Sequence, residues 1–171
     1  MKTILAVALA VAVASCGSMG QGRGASAVAS LEPTKGNSAK GTVTFTQHGD
    51  KVRVNVQLSG LNPGAEHGFH VHEKGDCGSG DGMSAGGHYN PAGTPHGAQA
   101  GAHHAGDMPS LRADSYGNAS VSFELSGVSA GSGPADVVGK GLIVHRDPDD
   151  YKTQPTGNAG PRVACAVIQK M

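Results

Sequence analysis

The chain has 171 residues, 13 Lys and Arg against 13 Asp and Glu, three Phe, three Tyr and no Trp. That length suits one domain with its own core, and the balanced charge argues against a nucleic acid as the main partner. The unusual counts are 28 glycines, which mark turns and loops, and nine histidines, most of them crowded between His67 and His104.

In chain order, the first element is expected to lie outside the fold. Met1-Lys2-Thr3 is a short basic start, and Ile4 to Ala14 is an apolar and small-residue run. The run is too short to cross a bilayer and reads as the core of an export signal. It leads into Val13-Ala14-Ser15-Cys16, which resembles a bacterial lipobox, where the cysteine becomes the lipidated first residue. An ordinary signal cleaved elsewhere is the alternative. The expected organisation is a lipoprotein signal peptide over 1–15, a flexible Gly-, Ser- and Ala-rich tether over 16–39 and a folded domain over 40–171. With Cys16 carrying lipid, Cys77 and Cys165 remain, and an oxidising compartment favours a disulfide between them over free thiols or a metal pair.

Gly41–His48 and Lys51–Leu58 both alternate apolar and polar residues around Gly49-Asp50, the pattern of a β-hairpin. Further strands are expected at His67–His72, Ala119–Leu125, Lys140–His145 and Val163–Ile168. Helical periodicity is missing beyond the leader, so the expected class is all-β and antiparallel, a sandwich or flattened barrel. Glu73 to Asn118 resists this picture, because a structureless stretch of that length is rare inside a compact domain. A disulfide at Cys77 and metal ions held by histidines would order it.

His70-Val71-His72 places two imidazoles on one face of a strand, about 6–7 Å apart. His88, His96 and His104 follow, and imidazole suits copper and zinc. Asp107, three residues after His104, adds one hard oxygen; three histidines and one aspartate make a plausible closed tetrahedral zinc set.

Five ordered segments then carry a resemblance: Gly68-Phe-His-Val-His-Glu-Lys-Gly-Asp-Cys77, Ser84-Ala-Gly-Gly-His-Tyr-Asn-Pro91, His104-Ala-Gly-Asp107, Leu142-Ile-Val-His-Arg-Asp-Pro-Asp-Asp150 and Gly157-Asn-Ala-Gly-Pro-Arg-Val-Ala-Cys-Ala-Val-Ile168. From about residue 40 to 170 the chain resembles the copper/zinc superoxide dismutases. The resemblance implies a Greek-key β-sandwich or flattened barrel with long metal-binding and active-site loops. It implies dismutation of superoxide to O2 and hydrogen peroxide, with one copper and one zinc per subunit. Copper would be held by His70, His72, His88 and His145, and zinc by His88, His96, His104 and Asp107. His88 would bridge the two ions and pass a proton, and Arg162 would guide the anion. Asp149 would link a copper histidine to a zinc histidine, and Cys77 and Cys165 would form the family disulfide.

His67 would bond backbone, and His103 would stay outside the zinc set. The short loop Tyr151–Thr156 resembles the bacterial exported branch, in which monomers and homodimers both occur. Export would leave the protein in the periplasm, its lipid in the outer membrane, protecting the cell envelope. A non-catalytic metal buffer on the same fold is the competing reading; the presence of all four copper-side histidines and of Arg162 speaks against it.

Overall fold

The computed structural model describes residues 24–171. The expected signal peptide, Cys16 and the residues up to 23 lie outside them. The ten strands are β1 (Ser26–Pro33), β2 (Lys40–His48), β3 (Lys51–Ser59), β4 (Glu66–His67), β5 (Phe69–His72), β6 (Leu111–Arg112), β7 (Ala119–Ser126), β8 (Gly141–His145), β9 (Arg162–Val167) and β10 (Gln169–Lys170). One 3-10 turn, Met83–Ala85, is the only helical segment among the described residues. The main sheet runs β5-β8-β9-β1-β2-β3-β7, with β10 beside β1; β4 and β6 form a separate pair. Every strand pairing is antiparallel, as the alternating patterns lead one to expect.

The β2–β3 hairpin turns through Gly49-Asp50, with His48 opposite Lys51. Gly49 takes φ +61°, a left-handed position that costs glycine little. Val43 lies opposite Val56 and Phe45 opposite Val54, and all four are fully buried. Each such side chain contributes about 1.5–3 kcal/mol of burial free energy.

The tether expectation for 16–39 fails over its second half. Ser26–Pro33 is a strand, with Ala27, Ala29 and Leu31 buried in the core. Its first part pairs with β2 and β10, whereas Glu32 and Pro33 pair with Cys165 and Ala164 of β9. The strand therefore joins the hairpin side of the sheet to the β8–β9 side. The physical reason lies in the period-two pattern: small alanines occupy the inward positions, and their composition imitates a linker.

The expected strand over His67–His72 is interrupted at Gly68, where a Cβ would stand 2.7 Å from Ala159 Cβ. On β5, Phe69 and Val71 join the main core, so His70 and His72 face the other way. On β8, Leu142 and Val144 likewise enter the core, while Ile143 packs with Ala85 and the Cys77–Cys165 pair in a second cluster. The β5–β8 ribbon thus separates an oily interior from a histidine-lined bay. Two loops build the rest of the bay: 73–110 after β5, and 146–161 between β8 and β9.

Candidate metal centre

The long loop returns along β5. Tyr89 N–H donates to Val71 C=O and Val71 N–H donates to Gly106 C=O, both at 2.8 Å. A Cβ on Gly106 would meet Val71 O at 2.2 Å, so only glycine permits this approach. These tacks bring His88 opposite His72 and Asp107 opposite His70. A disulfide ties the start of the loop to β9: Cys77 and Cys165 are bonded, with Cα atoms 5.9 Å apart and a sequence separation of 88. That loop length is worth about 4–5 kcal/mol in the chain-entropy model.

Two buried sets result, each with ligand atoms within 4.8 Å of one another: His70, His72, His88 and His145, and then His88, His96, His104 and Asp107. In the first set one nitrogen of each outer ring is satisfied. His70 Nε2 bonds Asp149 Oδ2 at 2.8 Å, His72 Nδ1 bonds Gly86 O at 2.9 Å, and His145 Nδ1 bonds Gly160 O at 3.1 Å. The remaining atoms, His70 Nδ1, His72 Nε2 and His145 Nε2, are buried with no hydrogen-bond partner, and so is His88 Nε2. Four buried unsatisfied nitrogens are costly unless something accepts their lone pairs. An all-imidazole quartet suits copper, and the bonds on the far side of each ring fix its tautomer.

In the second set, Asp107 Oδ1 stands 2.8 Å from His88 Nδ1, 3.0 Å from His96 Nδ1 and 3.3 Å from His104 Nδ1. His88 Nδ1 and His104 Nδ1 are 3.4 Å apart. A tetrahedral zinc ion with ligands at about 2.0–2.1 Å needs ligand atoms about 3.3–3.4 Å apart. These four separations match edges of that tetrahedron, slightly contracted around Asp107. Asp107 Oδ2 accepts the N–H groups of Gly97 and His104, which leaves Oδ1 for the centre. The residues of both sets therefore fit the ions that the sequence implies.

Electrostatics keeps the groups in their ligand forms. Burial and neighbouring rings push His70 and His72 well below the usual histidine value, and burial brings His145 down to about 4. Burial lowers His104 too. For Asp107, burial would raise the value, but bonds from His88 and the N–H groups of His104 and Gly97 outweigh it and hold the carboxylate ionised.

Asp149 joins the sets: Oδ2 meets His70, and Oδ1 meets His96 Nε2 at 2.9 Å. Gly157 lies so close to this contact that a Cβ would stand 2.5 Å from His96 Nε2. Arg162 is half-buried beside the first set. Its guanidinium donates to Gly82 O at 2.5 Å and to Gly86 O at 2.6 Å. Gly86 O is also the acceptor of His72 Nδ1, so one carbonyl fixes both the cation and a ring.

His67 stands outside both sets and donates from Nδ1 to His145 C=O at 2.8 Å. His103 turns to Gly101 O instead. Met83 is exposed, and Met108 is buried in the core. Cys16 lies outside the described residues. Sequence reasoning missed the groups that act through backbone: Gly86, whose carbonyl does the work, and Gln154, which holds the main chain of His96.

A family model described as copper/zinc superoxide dismutase matches residues 39–168. A Cu-Zn superoxide dismutase of Paramecium bursaria Chlorella virus 1 is 42% identical over 150 residues, covering 84% of this chain and 77% of the viral one. Among solved structures, the clock protein EA4 is similar at a TM-score of 0.79 and 37% identity, over 89% of this chain and 98% of that one. A double mutant of a SOD-like protein from Bacillus subtilis gives a TM-score of 0.75 at 34% identity, over 83% and 96%.

Proposed function

The chain belongs to the copper/zinc superoxide dismutase family, and from this we propose that it converts two superoxide ions and two protons into O2 and hydrogen peroxide. The observation that carries the reading is the pair of buried sets sharing His88, with four unpartnered ring nitrogens in the first. Copper, held by His70, His72, His88 and His145, supplies the one-electron redox chemistry, and zinc, held by His88, His96, His104 and Asp107, supplies structure and tuning.

The chain's own residues supply the rest. Arg162 is a permanent cation whose fork is fixed by two carbonyls, so it attracts and orients a small anion without giving up a proton. His88 Nε2, free of any hydrogen bond, is the atom that holds one proton for the peroxide product; the other comes from water. Asp149 keeps His70 and His96 facing their own sets.

The proposed setting is outside the cytoplasm. Lys2, the apolar run to Ala14 and the lipobox-like Val13–Cys16 support export, lipidation of Cys16 and a place on the periplasmic face of the outer membrane. There the activity protects the cell envelope. No helix among the described residues is long and apolar enough to cross a membrane. The chain acts as a monomer or a homodimer, and its substrate partner is superoxide.

The direct test is superoxide decay in the presence of protein loaded with one copper and one zinc. The rate rises, and one peroxide forms per two superoxide ions consumed. Fully loaded protein that leaves the spontaneous decay unchanged sinks the reading. Mass spectrometry of the mature N-terminus tests the anchor: a lipid on Cys16 is expected, and an unmodified chain beginning past Cys16 removes it.

A further inference from the structure

Both long loops meet at His96, and not only through its ring. The His96 N–H donates to Gln154 Oε1 at 2.9 Å, and the His96 C=O accepts from Gln154 Nε2 at 2.9 Å. A single side-chain amide therefore satisfies both backbone groups of one residue, as a neighbouring strand would. His96 needs this, because residues 91–106 contain only turns and irregular backbone. Tyr151, three residues before Gln154, grips the other side of the same loop. Its hydroxyl accepts from Ser110 N–H at 2.7 Å and donates to Ser110 Oγ at 3.0 Å. Tyr151 holds φ +55°, a conformation rare outside glycine, and its N–H donates to Asp149 Oδ1. Asp149, Tyr151 and Gln154 thus strap the loop on both sides of the second metal set.

The need for a strap follows from the chemistry of that set. Without an ion, His88 can donate to Asp107 Oδ1. His96, whose Nε2 already bonds Asp149, turns an unmatched Nδ1 lone pair toward the same oxygen at 3.0 Å, and the two repel until an ion arrives. Asp149 orients the His96 ring, but ring orientation is fixed only if the main chain is fixed too. We propose that Gln154 is a positioning residue for zinc, which sets the affinity of the His88, His96, His104 and Asp107 set by clamping the His96 backbone. The proposal rests on the zinc reading of those four residues.

Gln154 is largely exposed, so its replacement removes the clamp without opening the core. The test compares unsubstituted protein with Gln154→Met and Gln154→Ala, and with Lys152→Ala as a control on the same loop. Zinc affinity is measured by competition with a chelator, and Co(II) is used as a spectroscopic probe of the same set. Loss of an outer-shell partner typically weakens metal binding about 10–100-fold. Both Gln154 variants are expected to weaken zinc by at least the lower end of that range, to alter the Co(II) visible spectrum and to keep the metal-free thermal midpoint. Lys152→Ala should match the unsubstituted protein. Zinc affinities within twofold of one another in all four proteins overturn the proposal. So does a metal-free midpoint that drops as far as the zinc-loaded one, which marks Gln154 as merely structural. Unsubstituted protein that takes up no zinc is a different result, and it overturns the zinc reading itself.

Discussion

The β2–β3–β7 sheet and the 73–110 loop are held by different forces. In β2 and β3 the buried residues are Val43, Phe45, Val52, Val54, Val56 and Leu58, and they come inward at every second position, while β7 adds Ala119 and Leu125. The β2 and β3 partners are close in sequence across a two-residue turn, whereas β7 pairs with β3 from farther along the chain. In the loop the buried groups include His88, His96, His104 and Asp107, drawn from irregular backbone. Such groups do not gain by leaving water; they gain only when lone pairs and charge are matched. Order in the sheet is therefore unconditional. Order in the loop depends on the disulfide, on tacks to β5, on side-chain bonds such as Asp76 Oδ1 accepting from Gly78 N–H, and on ions.

The largest expected effect separates the two regions from the sheet side. Phe45→Ala empties a fully buried position and should cost about 3–5 kcal/mol of unfolding free energy, with or without metal. Denaturant titration of the metal-free and loaded proteins checks this; a cost that vanishes in one form breaks the contrast. Next comes the cross-link. Cys77→Ser should cost about 2–5 kcal/mol. Hydrogen exchange should accelerate mainly near residues 76–87 and at β9 while β2 and β3 stay protected. Uniform acceleration throughout would show that the loop and the sheet are one cooperative unit.

A smaller, graded effect should appear with pH in the metal-free protein. His145 is held down to about 4, and His70 and His72 are also depressed, against about 6.5 in the unfolded chain. The unfolded state then binds more protons between those values. Stability is full above about pH 6.5, falls as the pH drops, and for His145 stops falling below about 4. Thermal midpoints across this window read the slope. Replacing His145 by Gln should flatten it, and an unchanged slope would remove His145 from the account.

Much of this contrast was legible in the sequence. Alternation around Gly49-Asp50 located the hairpin, and the His70-Val71-His72 spacing located one face of the bay. The ordered histidines and Asp107 marked the loop as ion-dependent. Reading β1 as a tether shows the limit, since alanine at inward positions carries too little hydrophobic signal to stand out from a linker. The break at Gly68 depends on Ala159, distant in sequence, and no local pattern announces it. Asp149 was placed only through the resemblance, and Gln154 was missed, because its effect passes through the backbone of a residue 58 positions away.

The central claim is that two sets share His88 and that the activity belongs to the first. His145 is a member of that set alone, so His145→Ala tests the claim most directly. After loading with both metals, the variant should keep one zinc per chain and its fold, and superoxide should decay at the spontaneous rate. A folded, zinc-bearing His145→Ala protein that consumes superoxide as fast as the unsubstituted one would contradict the account.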